Sequence, residues 1–158
     1  MSKKKTGSKI KLSTITISNS NLIQRPKRHF NYENGDEYEG EYGINLSTKS
    51  IFRHGHGVYT TISCVRFEGD WVRDKLVGFV RIEYKNGHWF EGNVDETGAV
   101  MTGTLFAVDG SKLVGEFSKK VENDVVTYGQ LDFIDRNERY WDVSINNDVI
   151  LLTRERFL

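Results

Sequence analysis

The sequence has one cysteine, one proline and no long hydrophobic run, and each shortage excludes a class of protein. The single cysteine, Cys64, excludes an internal disulfide framework and a CxxC metal motif. It lies in an alternating apolar segment, which is typical of a packed or half-exposed thiol. No apolar run approaches the roughly 18 residues that a membrane helix needs, and the basic N-terminus lacks the apolar region of a secretory signal. We therefore expect a cytoplasmic protein without a transmembrane segment.

Apolar residues are also scarce, and the charges are unevenly placed. The hydrophobic fraction is 37%, against about 45–50% in a compact globular domain. Of the 22 Lys and Arg residues, 8 fall in residues 1–28, which contain none of the 22 acidic residues, so this segment carries +8 and the rest −8. Such asymmetry is typical of a basic tail beside a folded body. We predict a disordered tail over 1–28 and one folded unit over 29–158.

The basic tail has three open interpretations: a solvated segment without a specific role, a contact with an acidic partner, and nuclear import. The acidic partner would be a phospholipid surface or a protein, and each Lys near an anionic membrane contributes about 1 kcal/mol. Nucleic acid is disfavoured because the acidic body would repel phosphates. The electrostatic contact would use Lys3, Lys4, Lys5, Lys9 and Lys11.

A short pattern recurs from Tyr32 onward. Each copy is an aromatic or apolar residue, a variable residue and a glycine, followed by an acid or amide and another apolar residue. The copies are Tyr38-Glu39-Gly40, Phe67-Glu68-Gly69, Phe90-Glu91-Gly92 and Leu113-Val114-Gly115. Their glycines are 29, 23 and 23 residues apart, and a degenerate fifth copy has Trp141 in place of the glycine. Four copies in phase indicate a repeat array.

A second position keeps a fixed distance from the main glycine. Gly57, Gly103 and Gly129 lie 12 residues before Gly69, Gly115 and Trp141, and Val80 holds the same place before Gly92. A turn signal also lies five residues before the main glycine, as Asn34-Gly35, Asn86-Gly87 or Asp109-Gly110. These dipeptides favour type I′ hairpin turns, in which both central residues have positive φ. The two offsets together predict a meander of β-hairpins.

Strand alternation divides each copy between two faces. Side chains two residues apart share a face, so Tyr38, Gly40 and Tyr42 lie on one side and Glu39 and Glu41 on the other. A glycine between two large residues leaves a notch that a ring or another backbone can approach closely. Each hairpin is marginal alone, so neighbouring hairpins must stabilise one another.

The pattern Tyr-Glu-Gly-Glu-Tyr, followed by the glycine pair of His54-Gly55-His56-Gly57-Val58 and a turn glycine, resembles the MORN repeat. The resemblance covers roughly residues 30–145, with four to five repeats. It implies an all-β fold: an elongated, single-layer antiparallel meander curved into an open groove. It also implies a scaffold or adaptor in cytoskeletal or axonemal assemblies such as the cilium, and for some members acidic phospholipid binding.

In a single-layer sheet neither face is covered, so we expect part of the aromatic stripe to remain exposed and to bind a partner. The expected partner is a peptide or helix of another protein, held in the aromatic–glycine groove. The alternative is a peripheral module that binds acidic membranes through the basic tail. The predicted partner-binding residues are Tyr38, Gly40, Tyr42, Phe67, Gly69, Trp71, Phe90, Gly92 and Phe117.

No motif predicts catalysis, a metal or a cofactor. The serines lack a GxSxG context, and the glycines form neither a P-loop nor a GxGxxG turn. His54 and His56 share a strand face, but no cysteine or carboxylate cluster accompanies them. We therefore predict a non-enzymatic protein without a cofactor.

Three segments depart from the repeat. The interval within Gly43–Phe52 has 6 extra residues and Ser118–Val126 has 3, which predicts enlarged loops at one edge of the sheet. Such insertions mark a binding edge or result from neutral drift. The run Val149–Leu152 fits a capping strand, after which Thr153–Leu158 is free to leave the sheet.

Overall fold

The computed structural model describes residues 22–122, 125–146 and 149–157. These residues form thirteen strands and no helix. The strands are β1 Leu22–Asn31, β2 Glu37–Asn45, β3 Ile51–Thr60, β4 Arg66–Val72, β5 Lys75–Glu83, β6 Trp89–Val94, β7 Val100–Phe106, β8 Lys112–Glu116, β9 Lys119–Glu122, β10 Val125–Tyr128, β11 Leu131–Ile134, β12 Tyr140–Asn146 and β13 Val149–Arg156.

Eleven of the strands form one open antiparallel sheet in meander order. The order is β1 to β8 followed by β11, β12 and β13, and each strand pairs with the next one in this order. The β9–β10 hairpin forms a separate pair between β8 and β11. The predicted all-β, single-layer meander of hairpins is confirmed. Among the described residues, β13 is the last strand of the sheet, and it includes the predicted capping strand Val149–Leu152. It continues through Arg156, so the expectation that the chain leaves the sheet at Thr153 is wrong.

The first strand corrects the boundary of the tail. β1 begins at Leu22 and pairs with β2, so residues 22–28 belong to the sheet and not to the predicted disordered tail. The ring of Phe30 packs against Tyr38 and Tyr42 and holds β1 in place. Composition concealed this strand because most of its residues are polar and exposed. The rest of the tail, with its five lysines, lies outside the described residues.

The repeat offsets become a row of paired residues across eight strands. The row consists of Gly40, Gly57, Gly69, Val80, Gly92, Gly103, Gly115 and Leu131. The predicted 12-residue register and the substitution by Val80 are therefore confirmed. Its continuation at Gly129 and Trp141 is wrong: Gly129 lies outside the strands, and Trp141 pairs with Phe133, two residues beyond the row.

The hairpin loops differ from the predicted type I′ turns. In the first loop, the amide of Tyr32 donates to Asp36 at 2.9 Å and the amide of Gly35 donates to Tyr32 at 3.0 Å. This leaves three loop residues, of which only Gly35 has positive φ, at 87°. The loop is a type I turn closed by a left-handed residue. A two-residue turn with both φ values positive occurs instead at Arg73 and Asp74, with 50° and 68°.

Only one of the two predicted enlarged loops is present, although both sets of extra residues lie at the same end of the strands. The loop between β2 and β3 has five residues, 46–50, as many as the β6–β7 loop at 95–99, so the extra residues of the first interval lengthen β2 and β3 instead. The other set forms the connection after β8 that contains the β9–β10 hairpin. Because neighbouring strands alternate in direction, β2 and β8 run the same way, so the loops that follow them share one end of the sheet.

Candidate functional site

Strand alternation gives the sheet two different surfaces. We call the side that carries the glycine row and Tyr38, Trp71 and Phe90 the glycine–aromatic face. The opposite side carries Glu39, Glu68 and other ionised side chains, and we call it the charged face. The predicted segregation of aromatic and acidic residues is thus present in the fold.

The N-terminal half of the glycine–aromatic face is a closed core. The exposed fraction of the surface is only 1% for Tyr38, 4% for Trp71 and 2% for Phe90. Tyr38 and Trp71 meet edge to face at 5.8 Å between centroids. Their polar atoms are paired within the chain, because the Tyr38 hydroxyl donates to the carbonyl of Glu41 at 2.6 Å and the Trp71 indole donates to Gly57 at 3.1 Å. Burial raises the pKa of Tyr38 to about 12.

The rings fill the notches that the glycines leave. A Cβ atom at Gly40 would lie 2.5 Å from the Tyr38 hydroxyl and 2.5 Å from the Cα of Gly57. A Cβ atom at Gly92 or at Gly103 would lie 2.5 Å from Cζ of Phe90. The rings of Tyr38 and Phe90 therefore each lie over a glycine of their own strand and one of the adjacent strand. This contact lets a single layer bury its aromatic residues without a second layer.

Arg53 closes the outer side of this core. Its guanidinium lies 4.2 Å from the centroid of the Trp71 ring and 4.5 Å from that of Tyr59. Its Nε is fixed by Asp74 at 3.2 Å. A cation over two aromatic faces in a desolvated position is attracted by both ring quadrupoles. Arg53 thus covers rings that a partner would otherwise reach.

The predicted partner-binding set is therefore divided. Three of its aromatic residues, Tyr38, Trp71 and Phe90, are core and expose almost no surface to a partner. The three glycines Gly40, Gly69 and Gly92 are buried beside them. The remaining members, Tyr42, Phe67 and Phe117, are half-buried, and their role in binding stays a prediction.

The C-terminal half of the same face is open. An apolar cavity of about 330 Å³ lies here. Its volume is comparable to that of a cavity of about 340 Å³ on the charged face. We call it the C-terminal trough. Its apolar lining consists of Leu105, Ala107, Leu113, Phe133, Ile150 and Leu152.

Sequence reasoning missed the trough. Its residues come from β7, β8, β11 and β13, and β7 and β13 are four strands apart in the sheet. Only a strong curvature of the sheet brings Leu105 and Leu152 to one cavity. The sequence feature that could have indicated the trough is the run Val149–Leu152, which is more apolar than an exposed terminal strand needs to be.

The charged face carries a chain of ion pairs. Arg66 bridges Glu68 at 2.8 Å and Glu83 at 3.4 Å, and Arg81 bridges Glu83 at 2.8 Å and also contacts Glu91. The hydrogen bond from Arg81 lowers the pKa of Glu83. The sequence pattern did not indicate these cross-strand arginines. Partly exposed pairs of this kind contribute little individually, about 0–1 kcal/mol.

The cavity on the charged face is polar. Val58 lines it and pairs in register with Glu39 on one neighbouring strand and Glu68 on the other. On one side of the cavity, Lys27 forms an ion pair with Glu39 at 2.9 Å. The carboxylates around this cavity are therefore partly neutralised by cations of the chain itself.

The described residues contain no group of three or more His, Cys, Asp or Glu side chains that could hold a metal ion. They also contain no helix long and apolar enough to cross a membrane. Cys64 is exposed and occupies the left-handed position of its loop, with φ of 64°.

Comparison with protein-family models and with curated proteins finds no match to this chain.

Proposed function

We propose that the protein is a non-catalytic scaffold or adaptor that holds a partner protein on its glycine–aromatic face, at the C-terminal trough. The trough supports this proposal because it is the place where that face stays open. Ile150 and Leu152 line it with 46% and 44% of their surface exposed. Contiguous exposed apolar surface on a folded protein marks interaction sites.

The assembly in which the scaffold acts is proposed from the MORN resemblance. Proteins of that family organise cytoskeletal and axonemal structures, so we place this chain in such an assembly in the cytoplasm or cilium. The alternative, a membrane module that uses the basic tail, stays a prediction because the five lysines lie outside the described residues.

Cross-linking at the trough tests the proposal. Lys112 lines the trough, so an amine-reactive cross-linker on the full chain should join Lys112 to the partner in a cytoskeletal extract. Ile150→Asp should reduce recovery of that partner about tenfold, which corresponds to roughly 1.4 kcal/mol. Val72→Asp is the matched control, because Val72 is 47% exposed but lies in β4, far from the trough.

The outcomes separate the two candidates. Normal recovery with folded Ile150→Asp would remove the trough as the binding site. Sedimentation with anionic vesicles at low salt that is lost at high salt, and that Ile150→Asp leaves intact, would favour the membrane alternative.

A further inference from the structure

The two outer strands of the sheet differ in how their free edges are protected. β1 carries Pro26 within a register irregularity between Arg25 and Arg28, and it is rich in exposed cations. Proline, irregular pairing and charge are the devices that prevent another strand from pairing with an edge. The β1 edge is therefore closed to strand addition.

The β13 edge lacks these devices over its first half. Within the described residues β13 pairs with β12 alone, so the backbone groups of its other edge have no strand partner. Ile150, Leu151 and Leu152 are consecutive and 46%, 46% and 44% exposed. An apolar edge strand of this kind is a template for pairing with another extended segment.

The trough lies directly beside this edge. Ile150 and Leu152 both line the trough. Leu151 between them lies on the other side of the strand, because successive side chains point to opposite faces. A strand added to β13 would place every second side chain over the trough. The cavity, about 330 Å³, is near the lower end of ligand-pocket sizes, about 300–1,000 Å³, and suits a few side chains better than a whole helix.

The charge around the edge selects the added strand. His88 and Lys112 line the trough, and its lining contains no acid. Beyond the apolar run, the Arg154 side chain is 78% exposed, with one ion pair to Asp142 at 3.1 Å. Lys112 pairs with Glu138 at 3.3 Å, but an ammonium has three N–H donors and a guanidinium has five. Both cations therefore keep donors for an acidic residue on the incoming strand.

We propose that an extended segment of the partner protein, with apolar residues at alternate positions and an acidic residue next to them, adds to β13 as a further strand. Main-chain hydrogen bonds to the β13 edge give the affinity, and the side chains that enter the trough give the selectivity. This inference rests on the proposed function, because it specifies how the partner occupies the trough.

Peptide selection on the intact chain tests the inference. The probe is a displayed library of random twelve-residue peptides, from which the strongest binders are synthesised with a fluorescent label. We expect alternating apolar residues and at least one acid. Leu152→Glu should weaken these peptides at least tenfold, whereas Leu151→Glu, its equally exposed neighbour on the other face, should weaken them less than threefold. Circular dichroism and the melting temperature establish that both variants fold.

Backbone methylation of the selected peptides gives the decisive measurement. In a strand, successive N–H groups point to opposite edges, so only one of the two alternate sets of amides can bond to β13. N-methylation of one set should abolish binding, and methylation of the other should leave it within threefold.

Four results would overturn strand addition. These are failure to select any peptide, equal loss with both methylated sets, binding that Leu152→Glu leaves unchanged, and a chain dimer that Leu152→Glu dissociates. In the second case, weakening of the unmethylated peptides by Ile150→Asp would retain the trough, and so the proposed function, while rejecting the strand. Insensitivity to every trough substitution would reject both.

Discussion

The two halves of the glycine–aromatic face are built from the same repeat, but the N-terminal half is closed and the C-terminal half is open. In the N-terminal half, the rings of Tyr38 and Phe90 lie over paired glycines and are buried. In the C-terminal half, the row passes from Gly115 to the buried Leu131. Beside it, Ile150 and Leu152 remain 46% and 44% exposed at the trough. The paired glycines therefore explain how a single layer buries Tyr38 and Phe90 without a second layer.

This difference separates the residues that stabilise the fold from those that we propose bind the partner. The closed half contains most of the buried core, with Leu76, Val80, Ile82 and Val94 around the three aromatic residues. The open half has apolar surface that the fold does not use. Substitutions in the closed half should therefore change the free energy of unfolding, and those in the open half should change partner affinity.

The largest expected effect comes from truncation in the closed half. Trp71→Ala removes a side chain that is 4% exposed and contacts Tyr38, Tyr59 and Arg53, and it should cost about 3–5 kcal/mol of stability. Leu152→Ala in the trough, where the side chain is 44% exposed, should cost under about 1 kcal/mol. Urea unfolding of both variants measures the contrast. Equal losses would show that the halves do not differ as described.

The glycine row gives the next effect. A Cβ at Gly92 would meet backbone atoms of Thr102 and Gly103 at 2.2 Å and 2.6 Å, so Gly92→Ala should cost about 1–3 kcal/mol. At Gly69 the nearest atoms lie at 3.1 Å or more, so Gly69→Ala should cost clearly less. Thermal melting of the pair decides this, and a larger loss at Gly69 would contradict the proposed role of the rings.

Removal of the cation over the core should have a smaller effect. Arg53→Met leaves Trp71 and Tyr59 without their cover and should cost about 1–2 kcal/mol, with greater quenching of tryptophan fluorescence by acrylamide. Arg81→Met is the matched control, because Arg81 lies over Trp89 at 5.5 Å on the charged face with 40% of its side chain exposed. Its cost should stay under about 1 kcal/mol. Equal quenching in both variants would show that Arg53 does not cover the core.

The smallest effect is a pH dependence of the closed half. The hydroxyl of Tyr59 and then the amide of Ile62 donate to Asp36 and lower its pKa below the usual value of 3.8. Asp36 therefore stabilises the fold above about pH 4, and this contribution is lost as the pH falls through its lowered pKa. The melting temperature of Asp36→Asn should be lower than that of the wild type at pH 7 and approach it near pH 3. A constant gap would exclude the ionised carboxylate as the cause.

The fold was largely predictable from the sequence, and the C-terminal trough was not. Fixed spacings gave the meander, the row through Gly57, Gly69, Val80 and Gly92, and the split between the two faces. The turn type was predicted wrongly because Asn34-Gly35 is compatible with both a two-residue type I′ turn and a three-residue loop. Only the hydrogen bonds of Tyr32 distinguish the two. The start of β1 was missed because an edge strand does not need apolar alternation.

The sequence by itself determined the hairpins, since strand period and glycine spacing are local properties of the chain. The tertiary structure alone decided which apolar residues are buried. Tyr38 and Trp71 resemble exposed aromatics in the pattern, yet the rings close over glycines of adjacent strands. Leu105 and Leu152 are 47 residues apart in the sequence, and only the accumulated curvature of four strands brings them to one trough. Burial depends on such distant neighbours, and a local pattern does not contain them.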